Sequence, residues 1–196
     1  MYFEKPGIQN TEQAVEIALN AAKEYGIKDI VLATSRGETA EYFKGKTDGI
    51  NLTCVTLCYG FSKPGENALS EERRAELKAL GYNVVTAAHA LSGAERGLSR
   101  RQGGIYPVEL ISASLRMFGD GMKVCVEVAS MAADAGCIKP GEPVIVVAGR
   151  GKGADTVVIM KAAHTNAILD SRIDRILCKP LLPVPAPAPA QKPPVR

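Results

Sequence analysis

Apolar positions along this chain fall into two patterns, helical stripes and short continuous runs. In residues 10–25, NTEQAVEIALNAAKEY, the residues Ala14, Val15, Ala18, Leu19 and Ala22 recur at helical spacing on one face. Asn10 stands at the capping position with Gln13 three residues on, and Gly26 supplies the stop. DIVLATS (29–35) is then apolar without alternation, the pattern of a strand buried on both faces. A short helix is expected from Glu38 to about Lys44, and a second strand in INLTCVTLCY (50–59). Ser70 caps the charged helix EERRAELKAL, Gly81 ends it, and YNVVTAA (82–88) is the third strand. Pro107 opens a helix, PVELISASLRMF. Another runs from about Met122 to Ala135 and stops at Gly136. Its Val124, Val126, Val128, Ala129 and Met131 make it apolar nearly all round, which requires burial in the core or at an interface. VIVVAG (144–149) and VVIMKAA (157–163) are the fourth and fifth strands.

Two segments resist this reading. Residues 89–104, HALSGAERGLSRRQGG, are basic and glycine-containing and read as a long irregular loop. Residues 166–178 hold Ile168, Leu169, Ile173, Ile176 and Leu177 and fit a helix or an edge element equally. Strands alternating with helices predict a three-layer α/β sandwich around a mostly parallel five-stranded sheet. Residues 1–179 are read as one domain, and the Pro/Ala-rich residues 180–196 as a disordered extension.

Composition narrows the function. The formal net charge of +3 comes mostly from that extension, which carries Lys192 and Arg196 and no acid. The rest is nearly neutral, so neither a nucleic acid nor a membrane surface is expected as partner. No apolar run reaches the length of a membrane span, and the first residues lack the pattern of a secretory signal. The odd number of cysteines, 5, fits reduced thiols, and a cytoplasmic location is expected. Cys54 and Cys58 lie too far apart along a strand to share a metal. His89 and His164 have no ligand spacing around them, so no metal site is expected.

Two glycine-containing segments carry candidate chemistry. Thr34, Ser35, Arg36, Gly37, Glu38 and Thr39 leave a strand and enter a helix, where hydroxyls, free backbone N–H groups and a guanidinium make an anion site. Gly149, Arg150, Gly151, Lys152, Gly153, Ala154, Asp155 and Thr156 alternate glycine with cations between two strands, a pattern that can form a nest of N–H groups. It has neither the spacing of a P-loop nor the helix that follows a dinucleotide fingerprint. The alternative for each is a turn with solvated charges. Ligands of parallel sheets bind at the carboxyl ends of the strands. Asn10 and Thr11, at the start of the first helix, are expected on that edge, as is His89 after the third strand. His89 and Glu38 are the acid–base candidates, and Arg100 and Arg101 either close over an anion or stay in solvent.

DIVLATSRGETA, GGIYPVEL and DAGCIKPGEPVIVVAGRGKGADT, in that order, resemble segments of the pyruvate kinase C-terminal α/β domain, over roughly residues 10–163. The chain looks most like the stand-alone archaeal and bacterial proteins built from that domain. The resemblance implies a sheet of order 3-2-1-4-5 with the last strand antiparallel. It implies a first phosphate loop at Thr34, Ser35, Arg36, Gly37 and Thr39 and a second loop at Gly149–Gly153. It also implies that the kinase's catalytic barrel is absent, so that a pyruvate kinase reaction is not expected. Flavin mononucleotide (FMN) or another phosphorylated metabolite is the expected ligand, with a flavin-dependent or other enzyme on a phosphorylated metabolite as the alternative. A homo-oligomer is expected, as in related domains. The effector loop of the animal enzymes has a Trp, which this chain lacks.

Overall fold

Ile30 and Leu32 point to one side of a strand and Val31 to the other, yet all three are fully buried, so their sheet is covered on both faces. In the computed structural model of the chain, which describes residues 1–181, the elements are β1 (Tyr2–Phe3), α1 (Thr11–Tyr25), β2 (Asp29–Ala33), β3 (Asn51–Val55), α2 (Glu71–Ala79), β4 (Asn83–Val85), α3 (Gly93–Gln102), α4 (Pro107–Arg116), α5 (Asp120–Asp134), β5 (Pro143–Ala148), β6 (Thr156–Lys161) and β7 (Arg172–Pro180). They form a seven-stranded mixed sheet in the order β1-β7-β6-β5-β2-β3-β4. The five strands β4-β3-β2-β5-β6 have the expected order. β2, β3, β4 and β5 are parallel, with Ile30 opposite Leu52 and Ile145, and β5 turns back antiparallel into β6.

The alternation of each strand sends side chains into two cores. Ile30, Leu32, Leu52, Ile145 and Val147 pack against Ala14, Val15 and Ala18 of α1 and against Phe43 and Leu77. Val31, Val55, Val144, Val146 and Val158 pack against Met122, Cys125, Ala129 and Ala132 of α5. The apolar circumference of α5 is thus buried within the domain itself. Burial pushes the thiol of Cys125 well up, and that of Cys54 in the opposite core to about 12, so both behave as small apolar groups. No helix among the described residues is long and apolar enough to cross a membrane.

Four details depart from the sequence reading. Residues 166–178 are mostly strand. β7 pairs antiparallel with β6 and parallel with β1, and the N-terminal ammonium donates to Leu177 O at 2.6 Å. The first residues of the Pro/Ala-rich stretch therefore belong to the sheet, since Pro180 pairs with Phe3 and Leu181 N–H donates to Phe3 O. Its remainder lies outside the described residues. Residues 93–102, expected as irregular, form α3, which Glu95 ties to the next helix by accepting Val108 N–H at 2.9 Å. Asn10 does not cap α1. Its amide donates to Lys5 O, and its backbone is already helical. The helix expected after Gly37 is the 3-10 segment Thr39–Phe43.

Gly121 lets α5 lie against the start of β6. A Cβ there would approach Thr156 Cβ to 2.6 Å and Asp155 Oδ1 to 3.2 Å. Alanine is the better helix former by about 1 kcal/mol, but this overlap with a buried strand outweighs it. Gly121→Ala is expected to destabilise the fold by about 1–3 kcal/mol, read as a lower urea midpoint at unchanged slope.

Candidate functional site

The parallel pair β2–β5 is the topological switch point of the sheet. From β2 the chain steps outward to β3 and β4, then returns through α3–α5 to β5 on the other side. Loops leaving the carboxyl ends of such neighbours diverge and open a crevice. The two glycine-containing segments leave from these ends, and the crevice between them is a cavity of about 340 Å³.

The first loop is shaped by Thr34. Its N–H continues the ladder to Val55 O at 2.9 Å, and its buried hydroxyl accepts Gly37 N–H at 3.1 Å. Gly37 has φ +85°, and its carbonyl accepts Arg73 Nη2–H at 3.2 Å, so α2 braces the turn from behind. Ser35 and Arg36 N–H groups donate to no protein acceptor among the described residues. The second loop is the β5–β6 hairpin connection. Asp155 N–H closes it on Ala148 O, and Ala154 N–H donates to Thr11 Oγ1 at 3.0 Å. Gly153 has φ +72°, and a Cβ there would come within 2.6 Å of Ile8 Cα, so the chain before α1 packs directly on this loop. Gly151 and Gly153 N–H groups likewise have no protein acceptor among the described residues.

The cavity wall takes Thr34, Ser35, Glu38, Thr39, His89, Gly149, Gly151, Lys152 and Gly153 from the expected site residues. The others stand elsewhere. Arg36 is exposed and off the wall, and Gly37 is buried behind it. Arg150 is exposed and pairs with Asp120 at 3.1 Å. Thr11 and Asn10 hold the second loop and the preceding turn rather than the cavity. Asp155 is buried and accepts Gly7 N–H at 3.0 Å and the Thr156 hydroxyl at 2.9 Å, a structural clasp. Burial holds its carboxyl above the usual range. Arg100 and Arg101 lie in the last turn of α3, exposed and off the wall.

The wall also contains residues the sequence reading passed over. Arg96 comes from α3, Arg116 from the end of α4, and Lys123 and Glu127 from α5. Lys123 Nζ lies 2.5 Å from Glu127 Oε2, and both side chains are buried, 5% and 7% exposed. The other Glu127 oxygen accepts Leu91 N–H at 3.0 Å, fastening the loop after β4 to α5. His89 sits on that loop. Its Nε2 accepts Cys58 N–H at 3.3 Å, which leaves any ring proton on Nδ1, and its ring lies 5.2 Å from that of Phe61. Burial lowers the proton affinity of His89, and nearby Lys123 lowers it further against the opposing effect of Glu127. Burial likewise lowers that of Lys123, opposed by its contact with Glu127. The one signal for this pair in the sequence was Lys and Glu at i,i+4 inside an otherwise apolar helix. Among the described residues no three His, Cys, Asp or Glu side chains group as a metal site.

Comparison with known proteins gives the family. The model of the pyruvate kinase, alpha/beta domain, matches residues 12–160, most of the chain. This chain belongs to that family. Two solved structures of pyruvate kinase from Cryptosporidium parvum are also similar, each at 17% identity and a TM-score of 0.41. The matches cover 78% and 81% of this chain but 23% of those chains, so the alpha/beta domain described here spans under a quarter of those kinases.

Two outcomes follow for this alpha/beta domain. Lys123→Met leaves Glu127 buried without its counter-ion and is expected to cost about 3–5 kcal/mol. The double variant Lys123→Met with Glu127→Leu restores part of that loss, measured by denaturant unfolding. His89 holds fewer protons folded than unfolded, so its contribution is present above its unfolded pKa, about 6.5. That contribution is lost as pH falls from there through the lower folded value. Stability measured across this window declines in the parent and declines less in His89→Asn.

Proposed function

We propose that this chain binds a phosphorylated small molecule in the switch-point cavity, with FMN or another phosphometabolite as the ligand. The observation that carries the reading is the convergence of two backbone loops with uncommitted N–H groups at the ends of β2 and β5. Such groups bind a phosphate through fixed dipoles that need no rearrangement. Lys152 and Arg96 on the same wall exceed the exposed Glu38 in charge, while Arg116 pairs with Asp120 at 3.3 Å and Lys123 and Glu127 cancel. The wall therefore favours an anion.

The remainder of the wall fits an aromatic or aliphatic body. Val55, Phe61, Val124 and Met131 supply apolar surface beside His89. A flavin phosphate has these two parts, and when bound it would supply the redox chemistry itself. The chain's own residues would hold the phosphate and cover the ring. The reading assigns ligand binding rather than pyruvate kinase chemistry to these residues. Self-association is kept as a separate proposal, on surfaces away from the cavity.

Thermal-shift titration with FMN and with sugar phosphates tests the reading, because a ligand confined to the folded state raises the melting temperature. Lys152→Ala is expected to weaken the phosphorylated ligand by about 1.5–3 kcal/mol, the range for a hydrogen bond to a charged group, while leaving its dephosphorylated counterpart unaffected. Equal stabilisation by riboflavin and FMN, or none by any phosphate, would remove the loops from the site.

A further inference from the structure

Lys123 is the least expected group on the cavity wall. Its ammonium has three donors, and among the described residues only Glu127 accepts from it. A buried ammonium with one partner is costly, and Arg96 and Arg116 on the same wall repel its charge. The side chain is 5% exposed, and the residue is part of the cavity wall. A carboxylate at 2.5 Å can take a proton from it and return that proton elsewhere. A lysine desolvated in a pocket, with a proton acceptor in contact, is the arrangement that turns an ammonium into a nucleophile.

We propose that Lys123 captures the carbonyl group of a phosphorylated aldehyde or ketone as a Schiff base, with Glu127 as the proton carrier and the two loops holding the phosphate. The proposal rests on the phosphate-binding reading for the choice of substrate class. Glu127 first accepts a proton from Lys123, leaving a neutral amine. The nitrogen lone pair attacks the carbonyl carbon, the C=O π bond breaks, and a proton moves from nitrogen to oxygen to give the carbinolamine. Glu127 then donates its proton to that hydroxyl, the C–O bond breaks, and water leaves. The iminium C=N bond that remains carries the positive charge Lys123 began with, beside a carboxylate that is again ionised. Nothing is oxidised or reduced, and the charge of the wall is the same before and after. The burial that disfavours the ammonium favours the first step.

The test is reductive trapping on the full chain with glycolaldehyde phosphate and, in parallel, glycolaldehyde, each with cyanoborohydride. Peptide mapping locates the adducts, and thermal shift with inorganic phosphate reads the loops independently. The expected result is labelling at Lys123 ahead of the exposed lysines, faster for the phosphorylated probe, and suppressed by inorganic phosphate for that probe alone. Lys123→Arg removes this adduct, and Glu127→Gln slows its formation on the order of tenfold or more. Labelling at Lys123 that is equal for both probes and indifferent to phosphate upholds the amine chemistry but overturns the phosphate-binding reading. A phosphate-induced shift with adducts only on exposed lysines overturns the Schiff base and leaves that reading intact. Neither a shift nor an adduct at Lys123 overturns both. Mapping on the parent chain decides even where a variant at this buried pair fails to fold.

Discussion

The parallel pairing of β2 with β5, Ile30 opposite Ile145, is the constraint on which the rest of the molecule depends. The two strands are remote in sequence, and placing them side by side forces the chain after β2 to build outward and return. That return is long enough to contain α3, α4 and α5, and α5 then covers one face of the sheet while α1 covers the other. Both faces of β2 and β5 are consequently dry, which is why their sequences carry no alternation. The same pairing puts the loop after Ala33 and the loop after Ala148 on one edge. The cavity is a consequence of strand order before it is a consequence of any side chain.

That hierarchy explains what the sequence discloses. The strands and the main helices are legible because each must bury apolar surface on its own, and burial leaves a period. DIVLA and PVIVVA can be little else, and Gly26, Ser70 and Pro107 mark real boundaries. The positions of the two loops are legible because each glycine-containing turn directly follows a buried strand. α3 is not legible. Gly97 and a run of polar residues give it no apolar stripe, and it is held instead by Glu95 and Ser99 hydrogen bonding to α4 and its first turn. β7 is hidden for a related reason. Its first residues lie exposed at the sheet's flank, so Arg172, Asp174 and Arg175 interrupt the pattern, and the pairing with β6 shifts register twice, which breaks the period further.

Charge is the least legible property, because residue type says nothing of direction. Arg36 and Arg150 have the chemistry for a phosphate and sit in the right loops. Yet Arg36 is exposed off the wall, and Arg150 is spent on Asp120 at the start of α5. Of the loop cations only Lys152 lines the cavity, and the others on its wall, Arg96, Arg116 and Lys123, come from helices that the topology folds back over the switch point. Lys123 and Glu127 were masked by their neighbours. A helix with Val124, Cys125 and Val126 between them and Val128 just after reads as uniformly apolar, and two charges one turn apart barely alter its average.

The buried pair bears on why the cavity is built as it is. Two apolar side chains of the same volume would stabilise α5 against the sheet at least as well, since the attraction within a buried ion pair is largely offset by its desolvation. Net stability therefore does not by itself account for the pair. Glu127 fastens the loop after β4 by accepting Leu91 N–H, and Lys123 is the counter-ion that this buried carboxylate requires. What the lysine adds besides that charge is an amine with unused hydrogen-bonding capacity, held against a carboxylate on the cavity wall. The desolvation of both charges thus places an unspent donor on the same wall as the two loops.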